Sequence, residues 1–178
     1  MTKKQISLLR PIEDVLSFWD VLTPDERNFL LNTYTLHKYK KNEVIQCEGD
    51  EPTHLMILAE GKVKVYKNGF GNRAQIVRML KPGEHFGYRA IIANEVNSTT
   101  VTAFEDSTIY LISGDIFLSI LRHNNAFCYR FLEELSFDLA ESDARTVNLT
   151  QKHIRGRLAE SLLFLKDNYG LEEDGATI

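Results

Sequence analysis

Residues 57–69 read ILAEGKVKVYKNG, and their pattern decides the fold class. Lys62 and Lys64 alternate with Val63 and Val65 before Tyr66 and Lys67. A side-chain period of two, with one charged and one apolar face, is a half-buried strand. Asn68-Gly69-Phe70-Gly71-Asn72 then reads as a hairpin tip in which Gly69 and Gly71 can take positive φ.

Working outward, the same character holds from Thr35 to Ile112. Short β-rich runs (TLHKYK, EVIQCEG, HLMILAEG, AQIVRMLKPG, TTVTAFED, STIYLI) are punctuated by glycine and turn residues. Strands this short and evenly spaced predict a closed or rolled all-β unit such as a jelly roll. Upstream, Ile12, Val15, Leu16 and Trp19 suggest a short amphipathic helix. Thr23-Pro24-Asp25-Glu26 is a helix start: Thr23 caps, Pro24 takes the first helical position and Glu26 completes a capping box.

After Gly114 the period becomes helical. Asp115–Arg122 predicts a short helix, and residues 125–149 a long one. Along it Cys128, Leu132, Leu135, Leu139, Ser142, Thr146 and Leu149 recur at spacings of four and three, a heptad seam. Phe127, Phe131 and Phe137 offer a second stripe for packing on the roll. The seam predicts a homodimer, weakened in its far half by the polar Ser142 and Thr146. A third helical run, KHIRGRLAESLLFLKDNYG, ends at Gly170. The following LEEDGATI reads as an unfinished hairpin, so the chain is expected to be a fragment.

Composition narrows the function classes. At 43% apolar residues the chain can bury a core. A net charge of −4 gives these residues no electrostatic footprint for strong nucleic-acid binding on their own. No apolar run approaches the ~18 residues that span a bilayer, so no membrane partner is expected. Arg10, Pro11, Glu13 and Asp14 interrupt the N-terminus, which excludes a signal peptide and predicts a cytoplasmic protein. Cys47 and Cys128 form neither a disulfide framework nor a zinc pattern, and read as buried free thiols.

In order and spacing, Gly49-Asp50, ILAEGKVKVY, Gly71, LKPGEHFG, TAFEDSTIYLI, the long helix and HIRGRLAESLLFL resemble the CRP/FNR superfamily of bacterial transcription regulators. The resemblance runs from about Asp25 to Ile178. It implies an α+β chain: N-terminal helices (1–34), a cyclic-nucleotide-binding-like β-roll (35–124), a dimerisation helix (125–149), and the start of a winged helix-turn-helix domain (150–178) whose DNA-reading part is missing. DNA would then be bound through that missing domain, by a dimer over two half-sites.

The family's ligand cassette is similar to residues 83–103, GEHFGYRAIIANEVNSTTVTA. In nucleotide-binding members a Glu after Phe-Gly meets the ribose, an Arg pairs with the cyclic phosphate, and backbone amides complete the nest. Here Tyr88 follows Gly87 at the Glu position, and Asn97 falls at the Arg position. Ser98 and Thr99 keep hydroxyls. Arg89 supplies a charge only if it turns inward, at a point of a short helix that usually faces solvent. The long helix's hydroxyl pair falls at Ser142 and Asp143, and Asp143 adds repulsion toward a phosphate. The cassette therefore predicts no cyclic AMP binding, and an unidentified small-molecule effector or none.

Other chemistries fare worse. Two thiols cannot ligate an iron–sulfur cluster, and neither a metal nor a cofactor is expected. Among His37, His54, His85, His123 and His153 only His85 lies in the cassette, and it reads as a surface or turn histidine. No nucleophile–base set or paired carboxylates suggest catalysis, so no catalytic residue is named. The alternative to a transcription regulator is a stand-alone ligand-binding module acting on a protein partner.

Overall fold

The structure is a computed structural model that describes residues 10–69, 73–151 and 153–169. The chain forms two compact units, residues 1–128 and 129–178.

In the first unit, α1 (Ile12–Val15), a 3-10 turn (Trp19–Val21) and α2 (Pro24–Thr33) precede the sheets. The expected amphipathic helix is thus two short turns. Ile12, Val15 and Leu16 are buried, whereas Trp19 is half-exposed. The capping box forms: Glu26 N–H donates to Thr23 Oγ1 at 3.3 Å, and Thr23 N–H donates to Glu26 Oε2 at 2.8 Å.

Among the described residues eight strands follow: β1 (Thr35–Tyr39), β2 (Val44–Gln46), β3 (His54–Glu60), β4 (Val63–Asn68), β5 (Ala74–Leu80), β6 (His85–Phe86), β7 (Thr100–Ala103) and β8 (Ser107–Ser113). They make two antiparallel four-stranded sheets, ordered β1-β8-β3-β6 and β2-β7-β4-β5. This is the jelly roll the alternation implied. Its core lies between the sheets: Met56, Leu58, Phe86, Ile109 and Leu111 from the first meet Val63, Leu80 and Val101 from the second. The outer face of the first sheet is covered by the N-terminal segment. There the Tyr110 hydroxyl donates to the Arg10 carbonyl at 2.8 Å, and its ring packs edge-on against Tyr34.

At the β4–β5 tip the reading needs correction. Gly69 does not take positive φ; its N–H donates to the Arg73 carbonyl at 2.9 Å, while Gly71 lies outside the described residues. Neither thiol is deeply buried, Cys47 being exposed and Cys128 half-buried, because each sits at an element boundary or on an open helix side.

Helix α3 (Tyr88–Ala93) interrupts the strands, and α4 (Gly114–His123) follows β8. The long helix α5 runs Asn125–Gln151, slightly beyond the expected end. Its start is capped: Phe127 N–H donates to Asn124 Oδ1 at 2.9 Å. Helix α6 (Ile154–Tyr169) lies in the second unit. The strand expected in ATI lies outside the described residues. No helix among the described residues is long and apolar enough to cross a membrane.

Candidate functional site

The cassette is built where β6 ends. Met56 and Ile57 of β3 pair with Phe86 and His85, which carries the chain to Gly87 at φ +86°. A Cβ at Gly87 would stand 2.7 Å from the His54 carbonyl oxygen, so only glycine lets α3 start this close to β3. Asn94 at φ +54° ends α3, and the loop returns toward β7. That loop is pinned to the turn after β2: Gly49 N–H donates to the Asn97 carbonyl at 2.8 Å, and Asn97 N–H donates to the Asp50 carbonyl at 2.9 Å. The Gly49-Asp50 marker in the sequence thus has its physical reason here.

Tyr88 is buried. Its ring lies 5.2 Å from that of His85, which meets Phe18 edge-on at 5.3 Å; Phe18 in turn meets Phe127 at 5.4 Å. Tyr88 therefore belongs to an aromatic column reaching the first turn of α5, and His85, expected at the surface or in a turn, is instead a core histidine within it, because β6 pairs with β3 and buries its ring. Asn97 is buried too, and among the described residues no donor reaches its side-chain oxygen. Ser98 is exposed and Thr99 half-buried, its carbonyl 3.5 Å from Gln46 Nε2. Arg89 is exposed in the first turn of α3, so the structure does not turn it inward. A depression on the outer side of α3, toward α4, is rimmed by Glu51, Glu95 and Asp115 and disfavours anions.

The remaining candidates lie on α5. Ser142 and Asp143 are exposed in the second unit. On the seam Leu132 is 55% and Leu139 64% exposed, Leu135 is half-buried, and Thr146 bonds back to the Ser142 carbonyl at 3.0 Å. The side chain of Leu149 lies outside the described residues. Of the second stripe, Phe127 and Phe131 are buried, but Phe137 is 76% exposed. Phe137 is six residues, or about 600° of helix turn, beyond Phe131, which carries it off the buried side.

Sequence reading missed one charged residue of interest. Arg78 on β5 is half-buried, with Nη2 3.8 Å from Glu84 Oε1. Strand pairing, absent from a one-dimensional pattern, was needed to find it.

Two four-stranded antiparallel sheets rolled around one core, broken by a glycine-started helix between β6 and β7 and followed by a long helix, define a cyclic-nucleotide-binding type of β-roll. The family model described as "Cyclic nucleotide-binding domain" matches residues 36–124, and the chain belongs to that family. The chain is 26% identical to the cyclic AMP receptor protein of Thermus thermophilus over 81% of its own length and 67% of that relative. It is 33% identical to a cGMP-dependent protein kinase of Toxoplasma gondii, over 60% of this chain but only 10% of the kinase. Among solved structures, a putative CRP/FNR-family transcriptional regulator from Eubacterium rectale superposes with a TM-score of 0.80, covering 89% of this chain and 74% of that one at 16% identity.

Proposed function

We propose that this chain is the sensor and dimerisation region of a CRP/FNR-type transcription regulator, and that its roll does not hold cyclic nucleotides. One observation carries the reading of the pocket. Tyr88 and Asn97, read here as the positions of the family's ribose and phosphate anchors, are both buried and neither is charged. Tyr88 is occupied in the aromatic column. The side chain of Asn97 is a neutral amide, so it offers a phosphate no charge-assisted pair.

The exposed Leu132 and Leu139 support a homodimer through α5. Regulation would pass to DNA through a winged helix-turn-helix domain, the reading that the family resemblance gives residues 150–178. The experiment for the pocket is isothermal titration of the chain with cyclic AMP and cyclic GMP. The expected result is no saturable heat below the millimolar range; low-micromolar binding of either overturns the reading.

A further inference from the structure

Both ends of the cassette meet the same short stretch of chain, the end of β2 and the turn after it. On the return side, hydrogen bonds run from residues 46–50 to residues 97–100. Gly49 N–H donates to the Asn97 carbonyl at 2.8 Å, and Asn97 N–H donates to the Asp50 carbonyl at 2.9 Å. Glu48 N–H donates to Thr100 Oγ1 at 3.1 Å, and Gln46 Nε2 reaches the Thr99 carbonyl at 3.5 Å. On the entry side, Gln46 Oε1 lies 3.7 Å from the place that a Cβ on Gly87 would take. One carboxamide is therefore neighbour both to the residue from which α3 starts and to the loop that returns to β7.

The turn is built to hold this position. Gly49 has φ +90°, and a Cβ added there would meet nothing within 4 Å, so backbone conformation and not crowding calls for glycine. The turn is also tied to the neighbouring part of the sheet, with Glu48 Oε1 3.6 Å from Lys67 Nζ on β4. Asn97, where two of the bonds converge, is 4% exposed, so water does not compete freely for its backbone groups.

We propose that residues 46–50 are a built-in clamp that keeps the cassette closed onto the roll with nothing bound, so that this sensor takes its closed arrangement without an effector. The proposal rests on reading residues 83–103 as the ligand cassette. In the nucleotide-binding members that the sequence resembles, ribose and phosphate join the positions read here as Tyr88 and Asn97, and the ligand bridges the two ends. Here a side chain and a turn of the chain itself make the bridge, at a strength that no ligand concentration changes. A ligand shifts an equilibrium only by its differential affinity for two states, and a closed state that is already dominant leaves little to shift.

The test is amide hydrogen exchange on the whole chain, with no ligand added. The amides of Glu48, Gly49 and Asn97 should be protected in the wild type. Gln46→Leu removes the carboxamide at nearly constant size, and Thr100→Val removes the acceptor of Glu48 N–H. Together they should speed exchange at these three amides and in α3 roughly tenfold or more, while β8 amides stay slow and report an intact roll. Thr100→Ser, which keeps the hydroxyl, should stay close to the wild type. Should β8 lose protection in the double variant, each single variant carries the same reading, with a severalfold rise expected. Unprotected amides at Gly49 and Asn97 in the wild type, or variants that leave cassette exchange unchanged in a folded roll, overturn the clamp. Cyclic AMP titrated separately tests the pocket: nucleotide binding beside protected wild-type amides overturns that reading alone, and unprotected amides without binding overturn the clamp alone.

Discussion

Asn124 Nδ2 donates to Glu26 Oε2 at 2.8 Å, across 98 positions of sequence. The same amide nitrogen donates to the Val21 carbonyl at 2.9 Å, while Asn124 Oδ1 caps Phe127 N–H. One side chain thus joins the N-terminal capping box to the root of the long helix. Asn124→Ala removes a cap worth about 1 kcal/mol and strands a carboxylate partner worth about 1.5–3 kcal/mol. Urea denaturation should show a loss of about 2–4 kcal/mol. Asn124→Asp keeps the cap's acceptor but sets a second carboxylate against Glu26, and should recover only about the cap's ~1 kcal/mol.

Gly87 holds the cassette closed onto β3. Gly87→Ala forces a left-handed φ on an L-residue and drives a methyl to 2.7 Å from the His54 carbonyl oxygen. Left-handed strain alone costs about 1–2 kcal/mol, and the clash adds to it. Thermal unfolding should shift down by several degrees, with the amides of Phe86 and Tyr88 moving most in an NMR spectrum. An unchanged melting temperature would refute the packing argument.

The roll was legible because Val63 and Val65 alternate with lysines and each turn is marked by a glycine or polar cluster. The capping box was legible because it is local. Longer-range facts were not. AQIVRML is apolar on both of its alternating phases, so the inward side of Arg78 cannot be read from that strand alone. It follows only from pairing with Val65, beside the irregularity between Val65 and Tyr66. The pairing of Gly49 and Asp50 with Asn97 likewise joins segments 47 or more residues apart. Phe137 was misread because three phenylalanines on one helix do not share a side unless their spacing returns to the helical period.

The seam on α5 predicts a dimer. A fully buried Leu is worth about 1.5–3 kcal/mol, and Leu132 and Leu139 are exposed on the single chain. Light scattering at micromolar concentration should give a dimer mass for the wild type, and Leu132→Asp with Leu139→Asp a monomer mass at unchanged β-sheet circular dichroism. A monomeric wild type sinks the seam.

Burial pushes the Tyr110 phenol up to about 12, with Tyr34 and Glu60 adding to the shift. The folded protein keeps this proton to a higher pH than the unfolded chain, whose value is 10.0. The stability it contributes is therefore complete below pH 10 and is lost as pH rises toward about 12. The loss should be on the order of 2 kcal/mol. Denaturant midpoints measured across this range should fall more steeply for the wild type than for Tyr110→Phe, which starts less stable because the Arg10 carbonyl loses its donor. Parallel slopes would rule the assignment out.

If Asn97 stands where the family anchors phosphate, then restoring the cation should restore affinity in part. Asn97→Arg replaces an orphan acceptor with a guanidinium beside the Gly49–Asp50 turn. A charge-assisted pair is worth about 1.5–3 kcal/mol, or one to two decades in dissociation constant. Against this stands the burial of Asn97 at 4% exposure, so without ligand the variant should be less stable than the wild type. Both signs come from the same desolvated charge, and a bound phosphate should offset the penalty. The expected outcome is a melting temperature that drops on substitution and rises with added cyclic AMP, while the wild type does not respond. Tyr88→Glu alone should not produce this response, since it restores a ribose contact but no charge for the phosphate. A variant that is destabilised and indifferent to the nucleotide would show that Asn97 does not occupy the anchor position, and that the loop between α3 and β7 aligns differently from the family's.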